Sequence, residues 1–170
     1  MTLADAGLPY RAQRASDPEP EERALSWIAG VGLTPFGRLE GRTTLDLMSD
    51  AAAAALADVG LVRREIDGLV TGYSTTLPHL MLSTVFAEHF GLAPRYAHGI
   101  QLGGATGFAM VMLAHELVAS GAARNILVVA GENRSTGQSR DAAIQTLAQV
   151  GHPRYEVRSE ERFSRNAETA

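Results

Sequence analysis

Two short apolar runs constrain this chain more than anything else in it. I-D-G-L-V-T-G (Ile66–Gly72) and N-I-L-V-V-A-G (Asn125–Gly131) show none of the polar alternation of a half-solvated strand. Between and before them lie long segments with helical patterning. Strands that are apolar on both sides and separated by helices imply a parallel sheet covered on both faces. The fold class expected is therefore α/β. R-Y-A-H-G-I-Q-L (Arg95–Leu102) reads as a further strand, and W-I-A-G-V-G-L (Trp27–Leu33) as a buried first strand.

The helices carry their own punctuation. Thr43 to Gly60 has a threonine cap, an alanine-rich body and a glycine stop. Pro78–Gly91 reads as a helix with proline in its first turn. Gly104–Gly121 is so apolar that burial on most sides is expected. D-A-A-I-Q-T-L-A-Q-V-G (141–151) reads as a last helix. Residues 1–25 carry S-D-P-E-P-E-E-R without periodicity and are expected to form a mobile tail, ahead of a single domain over 26–157.

Composition excludes several functions. The net charge of −4, without a basic block, points away from nucleic acid and from an anionic membrane surface. No apolar run is long enough to span a bilayer, and M-T-L-A-D-A-G lacks the form of a signal peptide. The chain contains no cysteine. That removes disulfides, thiolate zinc sites and a cysteine nucleophile, and fits a cytoplasmic setting. His79 and His89 lack metal-ligand spacing, so no metal site is expected. His115, within an apolar helix, reads as a satisfied core residue, and His152 as a loop histidine. G-V-G-L-T-P-F-G (Gly30–Gly37) only loosely echoes a dinucleotide loop. Its glycine spacing is wrong and Pro35 falls where the phosphate-binding helix should begin, so a dinucleotide-binding oxidoreductase is a remote alternative.

G-I-Q-L-G-G-A-T-G-F (Gly99–Phe108) runs from a strand into the apolar helix, where backbone N–H groups and the helix dipole converge. Gly103 and Gly104 either leave N–H groups open to a substrate oxygen or serve the backbone turn. Glu132 and Asn133 follow the last strand, at the carboxyl end where parallel sheets keep their ligands.

The order of I-A-G-V-G-L-T-P-F-G-R, A-L-A-D-V-G-L, E-I-D-G-L-V-T-G, L-G-G-A-T-G-F-A-M, A-S-G-A-A-R-N-I-L-V-V-A-G-E-N and A-Q-V-G-H-P-R-Y-E resembles the N-terminal half of a thiolase. The likeness is to sterol-carrier-type and thiolase-like acyl-CoA proteins, and runs from about Trp27 to Val157. It implies one half of a five-layer fold, usually dimeric, and C–C bond formation or cleavage on acyl-CoA thioesters. The thioester is substrate, and no further cofactor is implied. Matching the family's cysteine-alanine-serine-glycine onto Gly104-Ala105-Thr106-Gly107 puts Gly104 at the nucleophile position, so the acyl-enzyme route is closed. Gly103, Gly104 and Thr106 become candidate substrate contacts, and Glu132 and Asn133 candidate interface residues. Some family members without the cysteine resemble retro-aldolases that work with a small zinc-ribbon/OB-fold partner. The alternative is a non-catalytic subunit supporting a partner.

R-S-E-E-R-F-S-R-N-A-E-T (Arg158–Thr169) matches, residue by residue, the translation of a common sequencing-adapter string. The expectation is that 158–170 is artefactual and the chain a truncated parent, with a natural short subunit as the alternative. A half-fold of this kind is expected to expose an apolar face and to associate or dissolve poorly.

Overall fold

The computed structural model describes residues 25–137 and 139–142. Within them the elements are α1 (Thr44–Val59), β1 (Gly68–Thr71), α2 (Leu82–Phe90), β2 (Tyr96–Gly99), α3 (Thr106–Ala119), β3 (Ile126–Val129) and a short α4 (Arg134–Gly137). The three strands form one parallel sheet in the order β2-β1-β3. The α/β class and the strand-helix alternation are as the sequence predicts.

α1 starts where its cap demands. Thr43 is the N-cap, its hydroxyl accepting from the Asp46 N–H at 3.2 Å while the Asp46 carboxylate accepts from the Thr43 N–H at 2.8 Å. This reciprocal box satisfies donors that the first helical turn leaves open. Gly60 ends the helix in the left-handed region, at φ 75°.

The sheet register sorts the core. Leu69 stands beside Leu127 and Thr71 beside Val129. On that face Leu69, Leu127 and Val129 pack with Met48, Ala52 and Leu56 of α1 and with Phe86, Ala87 and Phe90 of α2. The Phe86 and Phe90 rings stack at 5.3 Å, and the Arg63 guanidinium caps Phe90 at 4.2 Å. The opposite face belongs to α3: a Cβ on Gly72 would approach Met110 Sδ at 3.4 Å and Thr106 Cγ2 at 3.5 Å.

Three sequence expectations need correction. Residues 27–33 form no strand. Trp27 and Ile28 are 83% and 79% exposed, and Val31 and Leu33 are exposed too. The segment rides on α1 instead: a Cβ on Gly30 or Gly32 would run into the carbonyl oxygens of Ala55 or Ala51. The Val31 N–H donates to Asp58 at 2.9 Å rather than to a ladder partner, so the apolar side chains turn outward. The second helix begins at Leu82, not in the turn of Pro78: the His79 N–H turns back to the Leu77 carbonyl at 2.8 Å and its Nδ1 accepts the Met81 N–H at 3.1 Å. α3 is not buried on most sides. Only Thr106 and Met110 are buried, while Phe108 (80% exposed), Val111 and Met112 face outward. One sheet face covers only one side of an apolar helix, and the described residues provide no second layer.

His115 on α3 is half-buried, and its Nδ1 pairs with Ser26 Oγ at 2.7 Å. No described helix is long and apolar enough to cross a membrane. The tail over 1–24, His152, the segment 158–170 and all but the first residues of the helix expected at 141–151 lie outside the described residues.

Candidate functional site

The strand order locates the site. From β1 the chain crosses through α2 to β2 on one side, then through α3 to β3 on the other. The connections therefore diverge between β1 and β3, and in parallel sheets ligands bind outside the carboxyl ends of such strands. A cleft of about 230 Å³ lies there, lined by Gly72 and Tyr73 after β1, Thr106, Gly107 and Met110 of α3, and Ala130, Glu132 and Arg134 after β3. A second cleft, of about 240 Å³, lies beside it between the 32–39 loop, α1 and residues 130–133.

Glu132 is the most heavily bonded side chain of the region. Oε2 accepts from the Thr75 N–H and the Thr75 hydroxyl, both at 2.7 Å. Oε1 accepts from the Ser74 hydroxyl at 3.1 Å, the Thr76 N–H at 3.2 Å and the Thr76 hydroxyl. Arg134 stands 3.9 Å away. Partial burial pushes the Glu132 carboxyl up, but the bonds from Thr76 and Thr75 outweigh it and hold it below the ordinary glutamate value. The loop reaches onward to α1, where the Thr44 hydroxyl meets that of Thr76 at 2.7 Å. Nothing in the sequence marked Ser74, Thr75 or Thr76. The signal was the register: with Thr71 beside Val129, Ser74 and Glu132 stand equally far beyond paired residues.

Asn133 is buried, and its amide donates to the carbonyl oxygens of Leu39, at 3.2 Å, and Arg42. Its Oδ1 takes the Thr136 hydroxyl. Both expected interface residues thus spend their polar atoms within the chain.

The glycine turn divides by role. Gly103–Ala105 is a single 3-10 turn ahead of α3. Gly103 has φ 55°, a conformation that favours glycine. Gly104 does not lie in that region, is exposed, and a Cβ there would meet nothing within 4 Å. Among the described residues its lack of a side chain serves neither packing nor backbone geometry. Among the described residues no protein acceptor takes the N–H of Gly103 or Gly104. Thr106 is buried, its hydroxyl donating to the Gly103 carbonyl at 2.8 Å and accepting from the Leu102 N–H at 3.0 Å. It staples the turn. The structure brings Thr106 and Glu132 to one cleft, while Gly103 and Gly104 stand outside its lining.

No family model matches the chain. Among curated proteins it is 32% identical over 111 residues to a steroid side-chain-cleaving aldolase of Thermomonospora curvata, covering 65% of this chain and 27% of that protein. It is 32% identical over 119 residues to the 17-hydroxy-3-oxo-4-pregnene-20-carboxyl-CoA lyase of Mycobacterium tuberculosis, covering 70% of this chain and 30% of the lyase. It is 36% identical over 97 residues to a β-ketoacyl-acyl-carrier-protein synthase III of Ruegeria pomeroyi, covering 56% and 30%. The chain spans about a third or less of these relatives. Among solved structures, the Ltp2-ChsH2(DUF35) aldolase superposes with a TM-score of 0.58 at 29% identity, over 72% of this chain and 32% of that one. A monomeric SCP2-thiolase-like protein of Mycobacterium smegmatis superposes with a TM-score of 0.52 at 26% identity, over 64% and 23%. The aldolase and the thiolase-like protein share one sheet-and-helix plan with this chain and, together with the lyase and synthase relatives, identify it over the matched residues as a member of the thiolase superfamily.

Proposed function

We propose that the protein acts on an acyl-CoA thioester as a C–C lyase of the retro-aldol type. The observation that carries this is Gly104: an open, solvent-facing position at the head of α3, without a thiol, beside two N–H groups that no acceptor among the described residues takes. In this reading a base removes the proton of a β-hydroxyl, the Cα–Cβ bond breaks, and the β carbon leaves as a carbonyl compound. The electron pair passes to the thioester enolate, whose oxygen takes the N–H groups of Gly103 and Gly104, and protonation at Cα yields the shortened acyl-CoA. No titratable side chain occurs in Gly99–Phe108, so the base comes from elsewhere. The names of the aldolase and CoA-lyase relatives support the same chemistry. A partner protein of zinc-ribbon/OB-fold type and a dimeric parent belong to this reading; the two-component name of the aldolase neighbour supports a partner protein.

The test is an assay of a full-length parent with and without a co-encoded zinc-ribbon/OB-fold protein, on a β-hydroxyacyl-CoA. Release of a carbonyl product and a shortened acyl-CoA is expected. Turnover that passes through an acylated protein would refute the proposal, and absence of turnover under both conditions would favour the non-catalytic subunit.

A further inference from the structure

Glu132 lines the cleft, and a carboxylate in a cleft invites the role of general base. Its surroundings argue otherwise. A carboxylate oxygen has about two lone-pair sites, and Oε1 already accepts three bonds while Oε2 accepts two. No site remains for a substrate proton. An ionised carboxylate only accepts, so it also dictates the direction of every hydroxyl around it. Ser74, Thr75 and Thr76 all donate to Glu132. Ser74 Oγ is then free to accept the Leu77 N–H at 3.0 Å, and Thr76 Oγ1 to accept from Thr44.

We propose that Glu132 is the positioning residue of the cleft: its carboxylate clamps Ser74–Leu77 onto the carboxyl end of the sheet and thereby fixes Tyr73 in the cleft wall. Tyr73, directly ahead of the clamped loop, is the one aromatic side chain of that wall among the described residues. The same clamp ties the loop to the first residue of α1. That Tyr73 meets an acyl thioester rests on the function proposed above. The clamp itself does not.

The experiment uses the isotopically labelled chain and follows the Glu132 carboxyl carbon, the Thr75 and Thr76 amides and the Tyr73 ring by NMR during an acid titration. Arg134 is the charged group beside the carboxylate. The Glu132 transition is expected below the ordinary 4.5, with the amides and the Tyr73 ring moving in the same step. A midpoint displaced toward neutrality would mark a base and overturn the proposal, as would a Tyr73 ring indifferent to the transition.

Glu132→Gln gives a second readout. Each carboxylate oxygen accepts one backbone N–H, so whichever way the amide turns, its NH2 faces a backbone donor. Hydrogen exchange at Thr75 and Thr76 should accelerate about tenfold or more, with Val70 in β1 little changed. Equal acceleration at Val70 means that the fold is lost, and the wild-type titration then decides. Acetyl-CoA added to the labelled chain tests the other reading: Tyr73 signals that titrate with Glu132 but ignore acetyl-CoA uphold the clamp and count against the thioester site.

Discussion

Gly104→Cys is the most informative single change. The position is exposed, its backbone lies outside the glycine-favouring region, and a Cβ there touches nothing within 4 Å. Replacing a glycine whose conformation any residue can adopt shifts stability by no more than about 1 kcal/mol, and in the favourable direction. The new thiol would stand at the head of α3, where the unsatisfied N–H groups carry partial positive charge. Such a terminus stabilises an anion by about 0.3–1 kcal/mol, which lowers a thiol from about 8.5 to about 7.8–8.3. At pH 7.5 the thiolate fraction then rises from roughly 9% to roughly 14–33%. The chain has no other cysteine, so alkylation by iodoacetamide followed by mass spectrometry reports this site alone. A cysteine placed at exposed Glu40 provides the reference. A midpoint equal to the reference, or above it, would refute the helix-end argument. A thiol that resists alkylation would show that position 104 is covered, and with it the substrate-facing reading of the turn would fail.

Gly103→Ala should behave oppositely to its neighbour, costing about 1–2 kcal/mol in denaturant unfolding because φ 55° suits glycine. Met48→Ala removes a fully buried side chain between α1 and the sheet and should cost about 2–5 kcal/mol by the same measurement. Acid should weaken the fold with a definite sign. The carboxyls of Asp46, held down first by the Thr43 N–H, and of Glu132 titrate below their ordinary 3.8 and 4.5. Their contribution is complete above about pH 4.5 and is lost as pH falls through the depressed values; a stability profile rising with acid would contradict both. Phe108→Asp with Met112→Lys, on the exposed side of α3, should reduce self-association in sedimentation while leaving the melt unchanged.

Much of this protein could be read from residue order. Apolar runs at 66–72 and 125–131 set the parallel sheet, since only strands covered on both faces dispense with polar alternation. Thr43 and Gly60 fixed both ends of α1, because capping is a local interaction between residues three or four apart. The same reasoning failed at Trp27–Leu33, where hydrophobicity suggested a strand. A strand needs a ladder partner, and the glycines instead let the backbone lie on α1. It failed again at Pro78, where the His79 ring takes the Met81 N–H and the helix starts only at Leu82. The thiolase resemblance made Glu132 and Asn133 candidates for an interface. Only the tertiary fold could show one clamping the loop after β1 and the other stapling the loop before α1. The glycine pair divides along the same line. Sequence placed both at the head of an apolar helix, but it took backbone angles and neighbouring atoms to separate them. Gly103 is required by its turn; Gly104 is constrained by nothing among the described residues, because the space beside a residue is a property of the packed fold.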